Sequence, residues 1–237
     1  MKKTAYVLVE DFMHPAYQLL PTIRNMFDLS KWHVCVLSGL ESICLFQGAP
    51  DLIVNFKDGQ ENWRMDTPNW YESQFAYNIP GFVKKDGCGY IAVHSGLDHI
   101  PEHHPIYTEL LQAKVVVEAG KPPFFNNMLF PAPDAMPFGC FDDVTFSPVT
   151  EHPVLADVER FTLRDEQYRV VLRKDSTATV LAATSSRAGE SIGCFVNEAG
   201  AGRVCGISVG HLQEAIESTP VMTLLKNAVR WCGRDDA

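Results

Sequence analysis

The stretch Gly87-Cys88-Gly89-Tyr90-Ile91-Ala92-Val93-His94-Ser95-Gly96 decides how this chain is read. Tyr90 to Val93 form an unbroken apolar run after Gly89, and a polar His-Ser-Gly then ends it. A short continuous apolar run reads as a strand buried on both faces, as at the centre of a parallel α/β sheet. Gly96 lets the chain turn sharply where the strand stops. In open α/β sheets, ligands bind beyond the carboxyl ends of the strands. His94 and Ser95 therefore fall where such a fold keeps its chemistry; the plain alternative is a strand followed by a polar turn.

Working outward, Thr4–Glu10, His33–Leu37 and Asp51–Phe56 read as strands one to three. Between the first two, Ala16 to Leu29 carries Leu19, Leu20, Ile23, Met26 and Phe27 at helical spacing, with Pro21 expected in the first turn of the main helix. A polar segment, Lys57–Asn69, is expected to be a lid or wall, and Asn69–Lys85 a helix disturbed at Pro80. Alternating strands and helices argue a parallel sheet with right-handed crossovers. Beyond the central strand, His99, His103 and His104 are expected in a solvated loop, followed by a helix over Pro105–Ala113 and a short strand at Val115–Val117. Lys121–Pro137 is expected to be an irregular covering loop. Extended runs at Asp143–Val149, Phe161–Tyr168, Arg169–Arg173, Thr177–Thr184, Ser191–Asn197 and Arg203–Val209 lie too close together for crossover helices, so this part reads as antiparallel or mixed. Thr219 is expected to cap a last helix, with Pro220 in its first position.

With 237 residues, 46% of them hydrophobic, the chain is long enough for one large α/β domain, residues 1–237. A net charge of −9 gives no general footprint for nucleic acid or for an anionic membrane. No apolar run reaches the roughly 18 residues of a membrane helix. Seven scattered cysteines without a CxxC pair argue against a zinc knuckle or redox motif and for a reducing, cytoplasmic setting.

Several segments together resemble the ThuA-like, or trehalose-utilisation, family within the class I glutamine amidotransferase-like superfamily. They are Gly89–Ser95, Glu151-His152-Pro153-Val154, Phe161-Thr162-Leu163-Arg164-Asp165-Glu166-Gln167-Tyr168, Gly200-Ala201-Gly202-Arg203-Val204, Gly210-His211 and Asn227–Trp231. His14 fits a histidine often found after strand one in that family, whereas Asn55-Phe56-Lys57-Asp58 stands where a histidine-bearing segment is often found. The resemblance implies a flavodoxin-like three-layer α/β/α fold with a mainly parallel sheet and an antiparallel extension. It also implies carbohydrate-related chemistry on a sugar or keto-sugar derivative, with a small-molecule carbohydrate as partner and a homo-oligomer left open.

His14, His94 and His211 each follow a predicted strand, and parallel strand ends converge on one rim. Three imidazoles could hold a divalent transition metal, zinc by default, or act without metal as an acid/base set. The resemblance places Glu166 with them. The catalytic candidates are His94, His211, Glu166 and Ser95, and the substrate-binding candidates are His14, Tyr168 and Arg203. A surface ion pair is the plain reading of Arg203 and Arg187. Amidotransferases of the superfamily carry a cysteine at the elbow; here Cys88 precedes the strand, so glutamine hydrolysis is disfavoured. Ser95 stands in Val93-His94-Ser95-Gly96-Leu97, which is not G-x-S-x-G. A non-catalytic carbohydrate-binding protein, gripping sugars on Trp63, Trp70, Phe124, Phe125 or Phe130, is the alternative from another class.

Overall fold

The computed structural model describes residues 2–11, 14–39, 48–59, 69–116 and 139–235. The central run becomes β4 (Gly89–Val93), every residue of which is buried. Its neighbours are β3 (Leu52–Asn55) and β11 (Gly202–Ile207), both parallel to it. On the far side of β3 lie β1 (Lys3–Val9) and then β2 (Trp32–Ser38), also parallel. Beyond β11 the sheet turns antiparallel through β10 (Gly189–Ala199), β9 (Thr179–Ser186), β6 (Phe141–Pro148) and β7 (Phe161–Glu166). The order is β2-β1-β3-β4-β11-β10-β9-β6-β7. A separate antiparallel pair joins β5 (Ala113–Val115) to β8 (Val170–Leu172).

Alternation along the strands builds two cores, because successive side chains of a strand point to opposite faces. Ile91 and Val93 face Val54, Cys205 and Ile207, under helices α1 (Ala16–Met26) and α4 (Thr219–Cys232). Tyr90 and Ala92 face Ile53 and Val204, under α2 (Gln74–Asp86) and the π-helical turn Ile106–Leu111. The result is the three-layer α/β/α arrangement with an antiparallel extension. A short helix, α3 (Gln213–Ile216), precedes α4.

Some local expectations change. Pro21 sits inside α1, which starts directly after Pro15 at the N-cap. Its missing N–H leaves the Tyr17 carbonyl to water, and Tyr17 is exposed. Ser218, not Thr219, occupies the N-cap position of α4. His103 is exposed as expected, but His104 is fully buried among the rings of Tyr71 and Tyr77. Its Nδ1 accepts the Ile106 N–H at 3.1 Å. Trp70 is core rather than a sugar platform, stacked beside Tyr71. The expected covering loop Lys121–Pro137, most of the Lys57–Asn69 wall, Val117, Trp63, Phe124, Phe125 and Phe130 lie outside the described residues.

Two tests follow from this packing. A Cβ at Gly96 would collide with the backbone carbonyl oxygen of Asn55, whereas one at Gly81, inside α2, meets nothing within 4 Å. Gly96→Ala is expected to destabilise by about 1–3 kcal/mol, and Gly81→Ala to stabilise by about 0.5–1 kcal/mol, both read from urea midpoints. Burial is the main force holding the His104 imidazole down, to about 4. The unfolded chain therefore takes up a proton near the ordinary histidine range that the folded chain refuses. The contribution of His104 to stability is complete above about pH 6.5 and is lost as pH falls toward 4. His104→Asn, which keeps an acceptor for the Ile106 N–H, should lack this acid-side loss when the two proteins are unfolded in urea at pH 5 and pH 7.

Candidate functional site

Three parallel strands deliver three histidines to one rim. β1 leads into the loop carrying His14, β4 ends at His94, and β11 runs through Ser208 to Gly210 and His211. Ile207 pairs with Val93, so the next residues along, Ser208 and His94, lie side by side. This register places the Ser208 carbonyl 2.9 Å from His94 Nδ1. His94 has a positive φ of 45°. A non-glycine residue in this region is strained, and a strained turn after a strand presents its side chain above the sheet. The elbow position is thus held by His94, and not by Ser95 beside it.

Glu166 reaches the rim from the other edge of the sheet. β7 is five strand spacings from β4 in the sheet order. In a flat sheet that separation would be about 24 Å. The antiparallel extension therefore curls, and the end of β7 returns over the ends of β4 and β11. Glu166 Oε2 lies 2.8 Å from His211 Nδ1 and 3.1 Å from His94 Nε2. His94 Nε2 and His211 Nδ1 are 3.0 Å apart, and His14 Nε2 is 3.1 Å from the same His211 nitrogen. All four side chains are largely hidden, His14 being the most open at 12%.

Burial penalises the charge on Glu166, but its hydrogen-bonded contacts with His211 and His94 outweigh this and hold the carboxyl at about 2. Burial also opposes charge on His94, yet Glu166 beside it pushes the imidazole up. For His211 burial prevails over Glu166, and the ring is pushed down. A carboxylate thus sits between one imidazole whose proton affinity is raised and one whose proton affinity is lowered.

Tyr168 stacks on the His94 ring, with centroids 4.1 Å apart and planes 14° from parallel. It orients that ring from one side while Phe141 meets His211 edge-on. Ser95 Oγ lies 2.9 Å from His14 Nδ1 and 3.3 Å from Nε2. The shorter of these contacts is with Nδ1, the nitrogen that also meets Asp11 at 2.8 Å. Arg203 stands at the opposite end of β11, its guanidinium donating to the Trp231 carbonyl at 2.8 Å and lying over the Trp231 ring. The structure does not bring it to the other candidates. Arg187 pairs with Asp142 at 3.0 Å on the extension, as the surface reading expects. Cys88 is buried before β4, where burial drives its thiol upward.

Three contributors escaped the reading of the sequence. Asp11 meets His14 Nδ1 at 2.8 Å and also accepts the His14 N–H. Asp165 accepts the N–H groups of Gly210, His211 and Leu212 at 2.6, 3.0 and 3.0 Å. Ser208 acts through its carbonyl, for which no side chain could give a signal. The aspartates had one: each stands within three residues of a candidate, Asp11 before His14 and Asp165 before Glu166. Beside this group His99 pairs with Asp58 at 3.0 Å. Partial burial works against its charge, but Asp58 and Asp98 hold it at about 9.

This curled α/β sheet, with its polar groups at the parallel strand ends, is a fold shared with other proteins. Solved structures agree. A ThuA-like protein from Parabacteroides merdae superposes with a TM-score of 0.66 at 12% identity, covering 99% of this chain and 91% of that one. A ThuA-like protein from Bacteroides uniformis gives 0.65 at 14% identity, with 97% and 91% covered. A glutamine amidotransferase from Thermotoga maritima gives 0.58 at 11% identity, with 98% and 99% covered. No curated protein matches the chain in sequence. The model of the ThuA family, described as trehalose utilisation, matches residues 61–232, and the chain belongs to that family. Among the described residues no helix is long and apolar enough to cross a membrane.

Asp165 gives a direct check on how the rim is held. Asp165→Ala leaves three N–H groups without their acceptor and is expected to cost at least about 2–3 kcal/mol. Asp165→Asn keeps one acceptor oxygen and should cost less, measured by urea unfolding of each variant.

Proposed function

We propose that this protein is an enzyme acting on a sugar or keto-sugar derivative, moving a proton next to a carbonyl with the His94, His211 and Glu166 group. The observation that carries this reading is the contact of Glu166 Oε2 with both imidazoles, at 2.8 and 3.1 Å, at the strand ends. A carboxylate shared by two histidines with opposite proton preference supplies an acid and a base within reach of one small ligand. Membership of the trehalose-utilisation family supports the substrate class. His14 and Tyr168 complete the lining as substrate-facing groups, and Ser95 serves as a hydrogen-bonding neighbour of His14. Buried Trp70 does not favour a binding module with an open aromatic groove. The described cysteines are free thiols, which supports a cytoplasmic setting.

The residues divide the work by position. Glu166, ionised and fixed, stabilises the positive charge that develops on whichever imidazole takes the proton. Asp165 and Asp11 are positioning residues: the first holds the backbone that carries His211, the second holds the His14 ring. Tyr168 keeps His94 from rotating away from Glu166.

The test is solvent-proton exchange. A panel of keto-sugars is incubated with the protein in D2O, and loss of the proton beside the carbonyl is followed by NMR. Exchange should appear with the wild type, fall by at least about 100-fold in His94→Ala and in Glu166→Gln, and persist in Cys88→Ser. Exchange that is absent from the whole panel, or that survives in both site variants, would reject the reading.

A further inference from the structure

We infer that His14 Nε2, His94 Nε2 and His211 Nδ1, with Glu166 beside them, form a binding site for one divalent transition-metal ion of the zinc type. Four contacts join these atoms: His14 to His211 at 3.1 Å, His94 to His211 at 3.0 Å, His94 to Glu166 at 3.1 Å, and His211 to Glu166 at 2.8 Å. A ring nitrogen carries either one proton or one lone pair. A carboxylate oxygen accepts, so both contacts with Glu166 need a proton on the ring nitrogen. His94 and His211 would then present N–H to N–H across 3.0 Å. Removing either proton leaves a lone pair facing a carboxylate. No assignment of protons satisfies all four contacts, whereas a cation held among the three imidazole nitrogens gives each inward lone pair a partner and sets a positive charge beside Glu166.

The outer partners point the same way. His94 Nδ1 faces the Ser208 carbonyl at 2.9 Å, which only accepts, so the proton of a neutral His94 sits on Nδ1. His14 Nδ1 faces the Asp11 carboxylate at 2.8 Å, which fixes its proton likewise. Both Nε2 lone pairs are therefore free and aimed inward. A ligating histidine that gives its other N–H to a carboxylate or a backbone carbonyl is the usual outer arrangement of a metal site. The spacing also fits. Around a tetrahedral ion with metal–nitrogen bonds of about 2.0–2.1 Å, adjacent donors lie about 3.3 Å apart. The three imidazole donors lie within 4.8 Å of one another. Three imidazoles and a single carboxylate oxygen suit Zn²⁺, Co²⁺ or Ni²⁺, and not Mg²⁺ or Ca²⁺, which take oxygen donors.

This inference goes beyond the proposed function and rests on it only for the ion's role, which would be to polarise a sugar carbonyl at the rim. With an ion bound the three imidazoles are ligands and not proton carriers, so the acid/base reading belongs to the metal-free protein, and exchange measured in chelator separates the two. Binding itself is measured without substrate. The full chain is stripped with chelator and titrated calorimetrically with ZnCl2, and CoCl2 is added separately to read the visible spectrum of the bound ion. One ion per chain is expected, with a tetrahedral Co²⁺ spectrum, no uptake of Mg²⁺ or Ca²⁺, and a rise in thermal midpoint on adding Zn²⁺. His211→Ala should weaken Zn²⁺ binding by at least about 100-fold, and Asp11→Asn by about 10- to 100-fold, each with the circular dichroism of the wild type. If His211→Ala does not fold, Asp11→Asn decides. Absence of stoichiometric Zn²⁺ and Co²⁺ binding, or binding unchanged in the folded variants, overturns the inference. Keto-sugar exchange that persists in chelator would then leave the functional reading standing. Metal bound tightly with no exchange on any sugar would sink that reading and keep the site.

Discussion

The adjacent carboxylates Asp165 and Glu166 at the end of β7 are the constraint on which the rest of this molecule depends. Both are buried, and successive side chains at a strand end serve two tasks. Asp165 gathers the N–H groups of residues 210–212, leaving none of those donors stranded. Glu166 lies between His94 and His211. Two neighbouring buried carboxylates would be costly without such partners. Their partners belong to β4 and to the segment after β11, so the charge cost is met only when the extension closes over the parallel strands. Folding of the far edge of the sheet and assembly of the rim are one event.

That closure explains the form of the site. Parallel strands alone would leave three histidines on an open rim. The curled extension adds the carboxylate, the Tyr168 ring against His94 and the Phe141 ring against His211. The polar cluster is thereby walled by aromatic rings and largely removed from water. Electrostatic interactions strengthen as water is excluded: Glu166 raises the proton affinity of both imidazoles, which prevails over burial at His94 and is overcome by burial at His211.

The elbow carries a related trade. His94 adopts a left-handed backbone that costs of order 1 kcal/mol for a residue with a Cβ, at φ 45°. The Ser208 carbonyl, the Tyr168 ring and Glu166 hold the side chain on three sides. Asn55, in the segment where a histidine was expected, supports the same turn from beneath. Its amide donates to the Tyr71 hydroxyl and the Gly96 carbonyl, at 3.0 and 3.3 Å.

By itself the sequence determined the strands, the two-faced burial of Gly89–Val93, the family and the histidines at the strand ends. These follow from local period and from chain order: Tyr90 to Val93 are apolar without a break, His94 directly follows that run, and His211 comes two residues after Val209. His104 was misread because its surroundings are polar in sequence, while Tyr71 and Tyr77 come from another segment to bury it. At the elbow the positive φ falls on His94, with Ser95 next to it, and the direction of β11 carries Arg203 to the other end of the sheet. Glu166 was grouped with the histidines by resemblance alone, since 72 residues separate it from His94. Only the curl of the antiparallel extension decides that distance. Curl accumulates from the small twist between successive strands, a property of the assembled sheet that no single stretch of sequence contains.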